Sequence, residues 1–433
     1  MDSIKIIGGS PLKGKIEIGG AKNAALPLMA AALLTDEQFS LSNVPTLSDI
    51  TTMANLLVSL GVEFIVDGSV RNGGYNGSGT GRSLILKADN ITDTTAHYDI
   101  VRKMRASVIV LGPLLARFGK ARVSLPGGCA IGTRPIDLHI MAMEKMGAEI
   151  KLHEGYIEAD VKGKLKGAEI TFPIISVGAT ENALLAATLA EGKTVIKNAA
   201  LEPEVSDLAM CLKEMGADIK GIGTKKLVIN GVEKLNGVNH KVLPDRIEAG
   251  TFAIAAAITG GELELLGANA ETMEATIEAL RKTGAKIEET EKGIKVVAGE
   301  KIRPINIDTS PYPGYATDMQ AQLSALLCLA EGTSTIKENI FENRFMHVPE
   351  LTRMGAKIKL SGNKMKINGI EKLHGATVMA TDLRASVSLV LAALAAEGET
   401  IINRVYHIDR GYERIEEKLA ACGAKIVRLR DKN

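Results

Sequence analysis

The sequence predicts an α/β protein of two similar domains, each made of three βαβαββ repeats with helices buried inside and sheets outside. Three observations carry this reading. At 433 residues the chain exceeds the size at which a single hydrophobic core stops growing, so two domains are the natural starting point. A strand-start phrase recurs, as Leu60-Gly61-Val62-Glu63-Phe64, Met146-Gly147-Ala148-Glu149-Ile150 and Met215-Gly216-Ala217-Asp218-Ile219, then again at Gly284, Gly355 and Gly423. Those glycines are 86, 69, 68, 71 and 68 residues apart, a period of roughly seventy with one long step. Small-residue apolar runs recur on the same period.

Each unit opens with such a run, NAALPLMAAALL first and NALLAATLAEG, AQLSALLCLAEG and VSLVLAALAAEG later. They are apolar nearly all round, which marks buried helices. A short β-branched strand follows (TVIKN, STIKEN, TIINR), then a loop and an amphipathic helix ending at the recurring glycine. Glycine just past a helix relieves the left-handed strain there. Two strands close the unit, alternating as in AKIKLSGNKMKING with the period of a half-exposed sheet. The long first step is explained by an inserted Gly-rich loop at Asn72 to Gly81. We place the domains at 22–242 and at 1–21 with 243–433, crossing near Val242; the opening strand then completes the C-terminal domain, so the chain crosses twice.

Composition removes several partners. Only 3% of residues are aromatic and tryptophan is absent, so stacking platforms for nucleic-acid bases are lacking. A net charge of +1 provides no global field for DNA or an anionic membrane, so any anion site must be local. The start MDSIKIIGGSPLKGK lacks an apolar signal core, and the apolar runs are broken before spanning length. The expectation is a soluble, cytoplasmic protein without nucleic-acid or membrane partners; protein partners are not legible. Cys129, Cys211, Cys328 and Cys422 lie far apart with no CxxC or zinc-like spacing, so neither a disulfide framework nor a metal site is expected, and no cofactor motif occurs. Gly77-Ser78-Gly79-Thr80-Gly81 runs into the strand-like SLILKAD rather than a helix, so it is no dinucleotide fingerprint.

Polar residues that stand out fall at two points of the unit, the N-terminus of the buried helix and the loop before the amphipathic one. The first set is Lys22 and Asn23, Arg102 and Arg105, Ser176 to Thr180, Asp318 and Arg384; the second is Asp49, Cys129 with Arg134, Glu202 and Glu204, Arg344 with His347, and Arg410. Helix N-termini offer unpaired N–H groups and a positive dipole end, so several aimed at one cleft form an anion site without a P-loop. A single arginine is as readily a solvated charge; recurrence at equivalent points singles out the group. A lone cysteine ordinarily packs, and Cys211, Cys328 and Cys422 sit in apolar helical stretches. Cys129 instead occupies the Gly-rich loop Leu125-Pro126-Gly127-Gly128-Cys129, beside Arg134 and a helix start, where a thiol becomes reactive. Asp318, at the start of TDMQAQLSALLCL, reads on position alone as a helix cap.

PGGCAIGTRPIDLH resembles the signature of the UDP-N-acetylglucosamine 1-carboxyvinyltransferase family of enolpyruvyl transferases, and the resemblance spans almost the whole chain. It includes GAKNAALP, VRKMRAS, SVGAT, PEV, LPDRIEAGTF, TDMQAQ, FENRFMHVPEL, MATDLRAS and YHIDRGYERIEEKL. The resemblance implies two inside-out α/β domains closing over a sugar nucleotide, in the first committed step of peptidoglycan synthesis. It assigns Lys22, Asn23, Arg134 and Arg410, with Arg384 assisting, to phosphoenolpyruvate. Arg105, Arg134, Pro135, Ile136, Asp137, Leu138, Ser176, Val177, Gly178, Asp318 and Ile340 are assigned to UDP-N-acetylglucosamine. Cys129, Asp318, Lys22 and Arg410 form the implied catalytic set, with Asp318 accepting the sugar hydroxyl proton and Cys129 protonating C3 of the donor.

Two features depart from the family pattern. Ile174 stands where some members carry a lysine, and the loop at Gly73 to Gly81 is longer than usual. Two alternatives stay open at this point: the shikimate 3-phosphate enolpyruvyl transferase, whose relatives lack the PGGC loop, and a repeat-built protein that binds a nucleotide sugar without turning it over.

Overall fold

A computed structural model describes residues 2–67, 81–102, 104–125 and 136–430. Among the described residues six four-stranded sheets share one pairing pattern. In the third, Glu169–Thr171 lies parallel to Lys193–Lys197, which is antiparallel to Lys226–Asn230, itself antiparallel to Asp218–Lys220. Helix Val177–Ala187 connects the parallel pair and Pro203–Glu214 leads into the last two strands, giving the βαβαββ order. Along Lys193–Lys197 only Thr194 and Ile196 are buried, as alternation requires of a sheet wet on one face.

The apolar runs become helices buried on all sides. Arg246–Ile258 exposes no residue after its first, and Val177–Ala187 buries everything from Ala179 on. Alanine and glycine make such packing possible: a Cβ on Gly112 would stand 2.4 Å from Asn182 Oδ1 of the next buried helix. The amphipathic helices lie outside this layer, and the glycines that follow them, Gly61, Gly147, Gly216, Gly284, Gly355 and Gly423, all have φ between 95° and 109°. That left-handed geometry is the reason glycine recurs there.

The hydrophobic residues sort into two clusters, one running from Ala21 to Val242, the other combining Ile4–Ile18 with Ile247–Ile426. Sheet closure explains the second cluster's composition. Ser3–Ile7 is inserted antiparallel between Glu399–Asn403 and Lys425–Leu429, and Lys13–Glu17 lies parallel to Glu262–Leu266. Conversely Val238–Lys241 lies parallel to Phe39–Val44 in the first sheet. The two crossing segments are tied together by Ala21 N–H to Leu243 O (2.8 Å) and Asp245 N–H to Gly19 O (2.8 Å). Gly20 is required between them, because a Cβ there would stand 1.8 Å from Asn43 O.

Candidate active site

Helix Lys22–Ala31 begins beside the crossing segments, and its first residue is a buried lysine. Lys22 Nζ lies 2.9 Å from Oδ2 of Asp49, in the first turn of the amphipathic helix Ser48–Leu60. The other oxygen of Asp49 accepts from Nε of Arg410 at 3.0 Å, so residues of both clusters meet on one carboxylate. Burial pushes Asp49 up, but the charges of Lys22 and Arg410 overcome this and hold it below the usual carboxylate range. Lys22 is lowered, first by burial and then by the nearby charges of Arg384 and Arg410, against the opposing pull of Asp49. Three cations therefore crowd one place.

Arg384 enters from helix Leu383–Ala395, whose N-cap Asp382 accepts from the backbone N–H groups of Arg384 and Ala385. Its Nε and Nη2 donate to Oδ2 of Asp318 at 3.2 and 3.0 Å. Arg344 Nη2 meets Oδ1 of the same carboxylate at 2.7 Å. Asp318 sits inside the 3-10 turn Thr317–Met319, whose N-cap is Ala316, which corrects the cap reading: its carboxylate oxygens meet two guanidiniums. From Asp318 the network continues through Arg344 to Thr317 (2.9 Å) and Glu338 (2.9 Å), which also accepts the Ile340 N–H at 2.8 Å. Ile340 and Asp318, far apart in sequence, are joined this way.

A second group gathers around His139 in helix Asp137–Lys145. Its Nδ1 lies 2.9 Å from Asn182 Nδ2, an amide nitrogen that can only donate, so the ring proton sits on Nε2. Burial, then Asp137 and Arg105 with opposite signs, act on this imidazole and lower it to about 4. Gly178 faces the ring, since a Cβ there would meet Cε1 at 3.3 Å. Arg105, Asp137 and Gly178 thus share one neighbourhood. Ile136 is the N-cap of the helix and Leu138 is buried in its first turn. Ser176 caps the helix that carries Val177 and Gly178, accepting from Ala179 N–H at 3.3 Å. Asn23 is exposed at the start of its helix, and Ile174 is exposed on its loop.

Cys129, Arg134 and Pro135 lie outside the described residues, as do positions 73–80 of the Gly-rich loop. Arg410 lies before the amphipathic helix Ile415–Ala421, at the end of the 3-10 turn Val405–Arg410. Cys211, Cys328 and Cys422 are buried; burial pushes the Cys328 thiol up to about 12 and that of Cys422 up to about 11. Sequence reasoning missed Glu338 and Tyr412, whose only signal was membership of the quoted motif stretches or their flanks. Among the described residues no helix is long and apolar enough to cross a membrane, and no group of three or more His, Cys, Asp or Glu side chains could hold a metal ion.

The geometry offers an anion site at a two-cluster junction, with a carboxylate beside it. Comparisons with known proteins place the chain in a family. The family model described as EPSP synthase (3-phosphoshikimate 1-carboxyvinyltransferase) matches residues 6–419. The UDP-N-acetylglucosamine 1-carboxyvinyltransferase of Paramagnetospirillum magneticum is 64% identical over 432 residues, covering 100% of this chain and 99% of that protein. That of Rhodospirillum centenum is 57% identical over 433 residues, covering 100% of both. The fold is shared with the enolpyruvyl transferase NikO from Streptomyces tendae, at TM-score 0.86, 24% identity and 99% coverage of both chains. On this full-length match the chain belongs to the enolpyruvyl transferases, within the UDP-N-acetylglucosamine 1-carboxyvinyltransferase family.

Proposed function

We propose that the protein transfers the enolpyruvyl group of phosphoenolpyruvate to the 3-hydroxyl of UDP-N-acetylglucosamine, releasing phosphate, as the first committed step of peptidoglycan synthesis. The observation that carries the reading is the convergence of Lys22 and Arg410 on Asp49, with Arg384 on Asp318 near enough to act on Lys22. Asp49 and Asp318 offset only part of this positive charge, so a multiply charged anion is favoured there, and the donor carries both a phosphate and a carboxylate.

Addition and elimination follow from the groups around that site. The sugar oxygen bonds to C2 of the donor while C3 gains a proton from Cys129, and the hydroxyl proton passes to Asp318. The C2–phosphate oxygen bond then breaks as C3 returns a proton to the Cys129 thiolate, and the enol ether remains. Lys22, Arg134, Arg384 and Arg410 balance charge on the phosphate as it departs, and Asn23 can donate a hydrogen bond to it. Asp318 is held by Arg344 and Arg384, so it is aimed before the sugar arrives. A proton donor to C3 must start as thiol, and a bound anionic donor favours the thiol over the thiolate. Arg105, the 134–138 stretch, Ser176 to Gly178 and Ile340 line the sugar-nucleotide site in this reading. Both substrates are soluble anions, which supports a cytoplasmic location; the domains are read as 22–242 and 1–21 with 243–433.

Phosphate release tests the function. It should require both phosphoenolpyruvate and UDP-N-acetylglucosamine and persist in a chelator; release with shikimate 3-phosphate in place of the sugar nucleotide would overturn the choice of acceptor.

A further inference from the structure

We propose that Tyr412 is a positioning residue for Arg384, fixing the guanidinium in the orientation that serves both Asp318 and the donor. The inference rests on the function proposed above. Tyr412 is 1% exposed, and its hydroxyl lies 3.1 Å from Arg384 Nη1, 2.9 Å from Thr251 Oγ1 and 3.3 Å from Gln322 Nε2.

Proton accounting fixes the direction of every bond in this group. Thr251 has one hydroxyl proton, and it goes to the Ile247 carbonyl at 2.8 Å. Tyr412 must therefore donate its own proton to Thr251. The phenol oxygen is left with its lone pairs turned to Arg384 and Gln322, both of which can only donate there. Gln322 is itself oriented by donating to the Asp318 carbonyl at 2.8 Å, so the amide cannot flip without losing that bond. Burial pushes the Tyr412 hydroxyl above its ordinary value, which keeps it a neutral phenol with that polarity. Arg384 is consequently gripped on two sides, by the phenol at Nη1 and by Asp318 at Nε and Nη2.

The same tyrosine links two anion-binding arginines. It lies two residues beyond Arg410, and the intervening Gly411 lets the loop press onto the start of the Arg384 helix: a Cβ there would stand 2.5 Å from Leu383 Cδ1. The phenol ring fills a buried place that phenylalanine fills equally, so the hydroxyl serves the polar group rather than the packing.

Tyr412→Phe isolates that hydroxyl. With steady-state phosphate release as readout, KM for phosphoenolpyruvate should rise on the order of tenfold, because a buried guanidinium loses a charge-assisted bond. KM for UDP-N-acetylglucosamine should stay within about twofold, since Asp318 is still held by Arg344 and the other expected contacts lie elsewhere. Thr251→Val, close to isosteric, removes the acceptor that orients the phenol and should show the same donor-selective pattern at smaller size. Unchanged phosphoenolpyruvate kinetics in Tyr412→Phe, or an equal rise in both KM values, would overturn the inference. Should Tyr412→Phe fail to fold, Thr251→Val decides by the same criterion. Wild-type protein without phosphate release from the two substrates would instead overturn the proposed function, and the inference with it.

Discussion

Arg410 Nε lies 3.0 Å from Oδ1 of Asp49, across the junction between the two hydrophobic clusters, while Lys22 holds Oδ2 of the same carboxylate at 2.9 Å. One buried anion thus neutralises two cations assigned to the donor. Asp49→Asn should lower the melting temperature, since removing one partner of a buried pair commonly costs about 3–5 kcal/mol. Inorganic phosphate should then raise the melting temperature of the variant more than that of wild type, because the added anion takes over the missing charge. Equal phosphate-induced shifts in a thermal melt would show that Asp49 does not occupy the anion site's charge balance.

Asp318→Asn separates proton transfer from substrate positioning. The amide keeps the size and one acceptor oxygen for Arg344 and Arg384 but cannot take up a proton as a carboxylate does. Turnover should fall at least about 100-fold, the lower range for a general base. Calorimetric affinity for UDP-N-acetylglucosamine should change less than about tenfold, a limit set by one exchanged hydrogen bond. Turnover within a few-fold of wild type would remove Asp318 from the proton path.

Thiol chemistry should single out Cys129. Cys211, Cys328 and Cys422 are buried, with thiols pushed up by desolvation, so each presents little thiolate near neutral pH. The epoxide fosfomycin, which the family resemblance implies as an alkylating agent, should leave one adduct, on Cys129, by peptide mass spectrometry. Cys129→Ser should abolish turnover because a serine hydroxyl is too weak an acid, whereas Cys129→Asp should retain some, with its optimum moved to lower pH. An adduct on any of the other three cysteines, or wild-type turnover in Cys129→Ser, would count against this assignment.

Much of the architecture was legible because it is repeated. The glycine after each amphipathic helix is a local requirement of φ, and six copies of it made a period visible before any contact was known. The buried helices were legible for a similar reason, since their apolar surface is written residue by residue. Charge pairing was not. Asp318 looks like a helix cap locally, and only the fold brings Arg344 and Arg384 to it from 26 and 66 residues away. Tyr412 is the extreme case, because its function depends on Thr251, 161 residues earlier.

Two of the buried histidines, His139 and His347, make acid stability a test of the structure that is independent of activity. Burial, followed by Arg344, lowers His347 to about 3, and burial likewise lowers His139 to about 4. In the unfolded chain an imidazole takes its proton near 6.5, so below that pH the unfolded state binds more protons than the folded one. The stability contributed by each neutral imidazole is therefore complete above about pH 6.5, and is lost as pH falls toward the folded values. At pH 5 each histidine should have given up about 2 kcal/mol, from roughly 1.4 kcal/mol per unit over 1.5 units. Glu181 works in the opposite sense. Burial raises its carboxyl well above the usual range, so its contribution is lost as pH rises rather than as it falls. Comparing wild type with His347→Gln cancels that background. Urea midpoints measured at pH 7.5 and pH 5.0 should fall further in wild type than in the variant, by an amount equivalent to about 2 kcal/mol. Parallel losses in the two proteins would mean that His347 is solvated or already charged in the fold, and would contradict its burial beside Arg344.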